Sequence, residues 1–117
     1  MDRVLTQKKM LEIIKSLQDC AKMCEITYML LFQKEKVEDR IVQLSLLQDC
    51  KNICNLCLDF IKRDSRYAKE LSFLCSYICL DCYAECSKKP DYQSKVCGQI
   101  CYECGINSRV FALSVKL

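Results

Sequence analysis

Cysteine provides most of the chemistry that this sequence offers. Twelve of the 117 residues are cysteine, and they recur in four segments with all or most of the spacing C-x-x-x-C-x-x-C. Spacings of three and four residues follow one face of a helix, so the thiols of each segment would form one stripe. Such stripes could ligate soft metal ions or iron–sulfur clusters. The candidate metal ligands are Cys20, Cys24, Cys50, Cys54, Cys57, Cys75, Cys79, Cys82, Cys86, Cys97, Cys101 and Cys104.

The residue types that are missing restrict this chemistry. Without histidine, the chain has no Ser-His or Cys-His catalytic pair and no mixed Cys/His zinc finger. With two glycines, it has no glycine-rich loop for nucleotide phosphates. Its 18 basic and 15 acidic residues are mixed along the chain, so no basic cluster predicts nucleic-acid binding. We expect a protein that is not an enzyme and binds neither nucleic acid nor membranes.

The elements that must position the thiols are helices. Few residues can interrupt a helix, and the breaks predict helices at about 7–33, 37–63, 66–88 and 92–114. Thr6, Ser65 and Asp91 are candidate N-caps, and Pro90 would end the third helix. Short links between long helices force neighbours to be antiparallel. The predicted fold is all-α: an antiparallel up-down-up-down four-helix bundle with a cysteine-lined core, forming a single domain over residues 1–117.

The register of this bundle follows from aligning the helices at their short links. One predicted layer contains Cys20, Cys50, Cys79 and Cys101. The layer on one side contains Cys54, Cys75 and Cys104 with Ser16, and the layer on the other side contains Cys24, Cys82 and Cys97 facing Leu47. The thiols would thus form a column along the bundle axis. Met10 and Met29 are expected near its opposite ends as ordinary core methionines, although either could serve as a soft relay ligand.

Several roles for such a column can be compared. Cysteines that only fill space would leave a thin, underpacked core. Two cysteines four residues apart on one helix are badly placed to form a disulfide. The amino terminus has no export signal, so we expect the protein in the reducing cytosol, where thiols stay free. Three zinc sites of four thiolates would bury about six net negative charges, whereas one Cu(I) per thiolate leaves the core neutral. An iron–sulfur or other redox metal centre stays an alternative.

The motif set resembles that of the bacterial four-helix-bundle copper storage proteins over nearly the whole chain. The resemblance rests on Leu-Gln-Asp-Cys50-x-x-Ile-Cys54-x-Leu-Cys57 in the second helix and on the cysteines of the third and fourth helices. The resemblance implies a bundle that stores many Cu(I) ions in its core, often as a homotetramer. Because it lacks an export signal, the chain is similar to the cytosolic branch of the family. The chain departs from the family in lacking histidine and in having Thr27 where a third cysteine would stand.

Overall fold

Four long helices form the molecule. The computed structural model describes residues 4–34 and 36–115. Helix α1 spans Gln7–Phe32, α2 spans Ile41–Lys62, α3 spans Ala68–Ser87 and α4 spans Tyr92–Ala112, with a 3₁₀ turn at Val37–Arg40 before α2. Helices that follow one another in the chain pack together, and α4 closes the ring against α1. This arrangement confirms the predicted all-α four-helix bundle, which measures 51 × 24 × 18 Å.

Two of the three predicted N-caps are confirmed. The Thr6 side chain accepts a hydrogen bond from the backbone N–H of Lys9, and Asp91 accepts one from that of Ser94. The prediction for Ser65 is wrong, because α3 begins only at Ala68. Asp64 has a left-handed backbone with φ of 56°, and Ser65 lies in the turn that follows it, where its hydroxyl accepts from the N–H of Tyr67.

The second helix also begins later than predicted. Residues Val37–Arg40 form a 3₁₀ turn after Lys36, whose φ of 61° is left-handed. The regular helix starts at Ile41, because the tight turn carries the chain across the end of the bundle. We call this end, formed by residues 32–34, 36–41 and 87–92, the Arg40 end.

The opposite end, which we call the Phe111 end, contains residues 62–68, the first turn of α1 and the last turn of α4. A single parallel bridge joins Val4 to Val115, linking the segments that precede α1 and follow α4. None of the helices in the described part of the chain combines the length and apolar character needed to cross a membrane.

Glycines on α4 allow α3 and α4 to approach closely. A Cβ atom added at Gly105 would lie 2.9 Å from Cγ of Leu80, and one added at Gly98 would lie 3.2 Å from Cβ of Cys86. Contacts this short would force the helices or side chains apart. The two glycines therefore help to bring the cysteines of α3 next to those of α4.

Candidate metal centre

All twelve cysteines lie in the core of the bundle. Each has 0% of its surface exposed, and each is a free thiol. The sulfurs of Cys20 and Cys50, one of the closest pairs, are 3.6 Å apart, far beyond the bond length of about 2.05 Å in a disulfide. The inward orientation of the cysteine stripes is therefore as predicted, and none of these cysteines is oxidised to a disulfide in the structure.

The central layer contains one cysteine from each helix, in the predicted register. The Sγ atom of Cys50 lies 3.6 Å from that of Cys20, 3.6 Å from that of Cys79 and 4.0 Å from that of Cys101. The sulfurs of Cys20 and Cys101 are 3.8 Å apart. Four helices thus converge on one group of thiols at the middle of the bundle.

The layer toward the Phe111 end continues this column. The sulfur of Cys54 lies 3.7 Å from Cys79, 3.9 Å from Cys75 and 3.8 Å from Cys104. Ser16, the predicted fourth member, is half-buried and lines a surface cleft between α1 and α4 instead. The side chain of α1 that fills the core there is Leu17, which is fully buried.

The layer toward the Arg40 end is joined to the centre through Cys24, whose sulfur lies 3.6 Å from that of Cys101. Cys82 and Cys97 are fully buried, and both neighbour Cys24 and Cys101. Leu47, predicted to face this layer, is also fully buried.

Eight of the cysteines form overlapping groups of metal-binding size. Within each group, the four Sγ atoms lie within 4.8 Å of one another. The groups are Cys20, Cys24, Cys50 and Cys101; Cys20, Cys50, Cys54 and Cys79; and Cys54, Cys75, Cys79 and Cys104. Neighbouring groups share two members, so an ion bound in one group would share sulfur ligands with an ion bound in the next.

Two further cysteines extend the column toward its ends and contact polar side chains. Cys57 lies 3.1 Å from the hydroxyl oxygen of Ser72. Cys86 accepts a hydrogen bond of 3.4 Å from Nε2 of Gln43. Both polar partners are fully buried. At each end, the sulfur column therefore finishes with a cysteine that contacts a buried polar side chain.

A polar network closes the Arg40 end. Arg40 forms an ion pair of 2.8 Å with Asp91 and donates a hydrogen bond of 2.9 Å to Gln43. Gln43 donates 2.8 Å to the Ser94 hydroxyl, which in turn donates 2.8 Å to Asp91. We call these four residues the polar plug; they cover Cys86 at this end of the column.

Sequence reasoning did not find the polar plug, although part of its signal is present. Gln43 and Ser94 precede Cys50 and Cys101 by seven residues, which is two helical turns. Each therefore continues a cysteine stripe into the core. The partners Arg40 and Asp91 lie outside these stripes and meet only because the two chain links cross the same end of the bundle.

Crowding of the thiols couples their ionisation. Hydrogen bonds from the thiols of Cys101 and Cys20 to its thiolate lower the pKa of Cys50 below its usual range. Interactions with Cys104 and other neighbouring thiols, together with burial, raise the pKa of Cys54 well above that range. The first protons are therefore lost from the cluster more easily than the later ones. Binding a cation would displace the protons that remain.

The sulfur spacing suits a soft metal ion. An ion about 2.3 Å from each sulfur, as in zinc–thiolate sites, would separate the sulfurs of a trigonal or tetrahedral site by about 3.8 to 4.0 Å. The central sulfurs already lie between 3.6 and 4.0 Å apart. Little rearrangement would be needed to bind metal in this column.

Comparison with known families agrees with this chemistry. The family model described as copper storage protein matches residues 6–112. The chain belongs to the copper storage protein family. This is a storage family rather than a catalytic one, and the sulfurs of the buried cysteine groups lie close enough together that each group could hold a metal ion.

Individual proteins are similar to this chain over most of their length. The structure of Cu(I)-bound copper storage protein BsCsp3 has a TM-score of 0.84 and 26% sequence identity, over 89% of this chain and 98% of that one. The apo structure of copper storage protein 3 from Bacillus subtilis has a TM-score of 0.81 and 27% identity, over 86% and 96% of the two chains. An uncharacterized cysteine-rich protein of B. subtilis strain 168, YhjQ, is 27% identical over 99 residues, covering 85% of this chain and 92% of that one.

Proposed function

We propose that this protein is a cytosolic copper store that holds many Cu(I) ions on the thiolates of its twelve core cysteines. The observation that carries the proposal is the continuous overlap of the three four-cysteine groups. Cys20 and Cys50 connect the first group to the second, and Cys54 and Cys79 connect the second to the third. Shared thiolates can bridge neighbouring Cu(I) ions, which accept low coordination numbers.

Charge favours Cu(I) over zinc in this core. The fully buried polar side chains of the described residues are neutral hydroxyls and one amide, with no lysine or arginine among them. A zinc ion with four thiolates leaves about two uncompensated negative charges, and burying several such sites would be costly. One Cu(I) per thiolate leaves no net charge, so twelve thiolates would balance about twelve ions.

The cytosolic location is supported by the reduced state of the cysteines, because only free thiols can bind copper. Twelve free thiols packed at contact distance would be exposed to disulfide formation in an oxidising compartment, whereas the cytosol keeps thiols reduced. Fractionation of the native cells should recover the protein, with its thiols free, among cytosolic proteins. Recovery with exported proteins would contradict this part of the proposal.

The decisive experiment for copper storage is a competition titration. Reduced, metal-free protein is titrated anaerobically with Cu(I) in the presence of a coloured Cu(I) chelator, and bound copper is counted at saturation. We expect many ions per chain, close to one per cysteine. Saturation after one or two ions would contradict storage.

The same preparation separates storage from the iron–sulfur alternative. Protein purified without oxygen is analysed for iron and acid-labile sulfide before the titration. Stoichiometric iron and sulfide would favour a redox cluster in the core. Light scattering of the copper-loaded protein then measures whether it forms the homotetramer that the family resemblance implies.

A further inference from the structure

Copper must reach sulfurs that have no contact with solvent. All twelve cysteines are fully buried, so an access route has to pass other side chains. At the Arg40 end, the ion pair between Arg40 and Asp91 and its hydrogen bonds to Gln43 and Ser94 cover Cys86.

The Phe111 end has a cavity of about 650 Å³, but this cavity does not reach a thiol. Its lining includes Met10, Ile61, Ala68 and Phe111, and no cysteine is among the residues that line it. Apolar side chains therefore stand between this cavity and the sulfur column.

A smaller cleft on the side of the bundle has a cysteine among its lining residues. The cleft lies between α1 and α2, has a volume of about 220 Å³ and is lined by Cys24. Leu47 is the fully buried residue that α2 contributes to its lining. Met29, on the α1 side of the cleft, has 54% of its surface exposed.

We propose that this α1–α2 cleft is a lateral port for copper, in which the Met29 thioether receives Cu(I) and passes it to Cys24. The proposal rests on the storage function given above. A thioether is a soft ligand that carries no proton, so it can accept Cu(I) from a carrier ligand without losing one. A thiolate is a stronger ligand for Cu(I), which drives the ion onward to Cys24.

The transfer is a ligand exchange in which copper stays Cu(I). A copper–sulfur bond to Met29 forms as the bond to the carrier ligand breaks. A bond to Sγ of Cys24 then replaces the bond to Met29, and the thiol proton passes to water. The next ligand is Cys101 in the central layer, whose Sγ atom lies 3.6 Å from that of Cys24.

The test compares two methionine variants by stopped-flow transfer of Cu(I) from its bicinchoninate complex to the reduced apo protein. Met29→Leu keeps an apolar side chain of similar size and removes only the thioether. Met10→Leu makes the same change at the cavity of the Phe111 end. We expect Met29→Leu to slow uptake by about tenfold, a rise of about 1.4 kcal/mol in the barrier, and Met10→Leu to leave the rate unchanged.

Equilibrium capacity distinguishes a failure of the port from a failure of storage. Both variants should bind as many Cu(I) ions as the parent protein and unfold at the same temperature. A parent-like uptake rate in Met29→Leu, or slower uptake in Met10→Leu than in Met29→Leu, would overturn the lateral port and leave storage intact. If the parent protein itself binds only one or two Cu(I) ions, the storage function is overturned.

Discussion

The charge of Asp91 should stabilise the bundle by closing the Arg40 end. Burial opposes ionisation of this carboxyl group, but hydrogen bonds from Ser94 and the ion pair with Arg40 outweigh it and lower the pKa of Asp91 from 3.8 to about 2. The difference between these values corresponds to about 2 kcal/mol of folding free energy at neutral pH. Asp91→Asn should lose about that amount, because asparagine still caps α4 but carries no charge.

The effect of this substitution should depend on pH in a definite direction. The pKa of Asp91 is lower in the folded protein than in the unfolded chain, so its stabilisation is fully present above about 3.8 and is lost as the pH falls through about 2. Urea unfolding of the reduced apo protein, followed by circular dichroism, measures the free energy of unfolding at neutral and acid pH. The parent protein and Asp91→Asn should converge in stability at the acid end.

Asp59→Asn provides the matched control. Asp59 also forms an ion pair with an arginine, at 3.0 Å from Arg63, but more than half of each side chain is exposed. An exposed pair of this kind on one helix contributes at most about 0.5 kcal/mol. Equal losses in Asp91→Asn and Asp59→Asn would contradict a stabilising role for the polar plug. So would a stability deficit in Asp91→Asn that stays constant as the pH falls to the folded-state pKa of Asp91.

Three further predictions concern the sulfur column and its supports. Cys50→Ser should weaken Cu(I) binding more than Cys57→Ser in competition titrations, because Cys50 belongs to two of the four-cysteine groups and Cys57 to none; equal weakening would contradict the overlap of the groups. Cu(I) affinity should increase with pH, since loading releases thiol protons, and titration in weak buffer should detect that release; a pH-independent affinity would argue against thiol ligands. Gly105→Ala should lower the free energy of unfolding by about 1 kcal/mol, because the cost of overpacking exceeds the gain in helix propensity. Gly98→Ala should lower it by less, because its new Cβ atom would lie 3.2 Å from Cys86, whereas that of Gly105→Ala would lie 2.9 Å from Leu80. Equal melting temperatures of the two variants would contradict this difference in close approach.

The helices and the sulfur register could be predicted because one repeated spacing determines both. Spacings of three and four place the thiols on one face, and scarce glycine and proline leave few places for a break. Short links then align the helices, which is why Cys20, Cys50, Cys79 and Cys101 meet as predicted.

The polar plug and the α1–α2 cleft could not be predicted from the same signal. Arg40 and Asp91 are far apart in the chain and carry no spacing that links them; the left-handed backbone at Lys36 and the 3₁₀ turn after it bring Arg40 across the end of the bundle. The cleft depends on which side chains of α1 and α2 leave space between the helices. Met29, expected in the core, is instead more than half exposed, because it lies off the cysteine stripe.

Anomalous diffraction at the copper absorption edge, from crystals of protein loaded with Cu(I), tests most directly whether the sulfur column holds copper. We expect a row of copper peaks along the bundle axis, each within bonding distance of two or three cysteine sulfurs, with neighbouring peaks sharing Cys20, Cys50, Cys54 or Cys79. Copper found only at surface side chains, with the core sulfurs still uncoordinated, would contradict it.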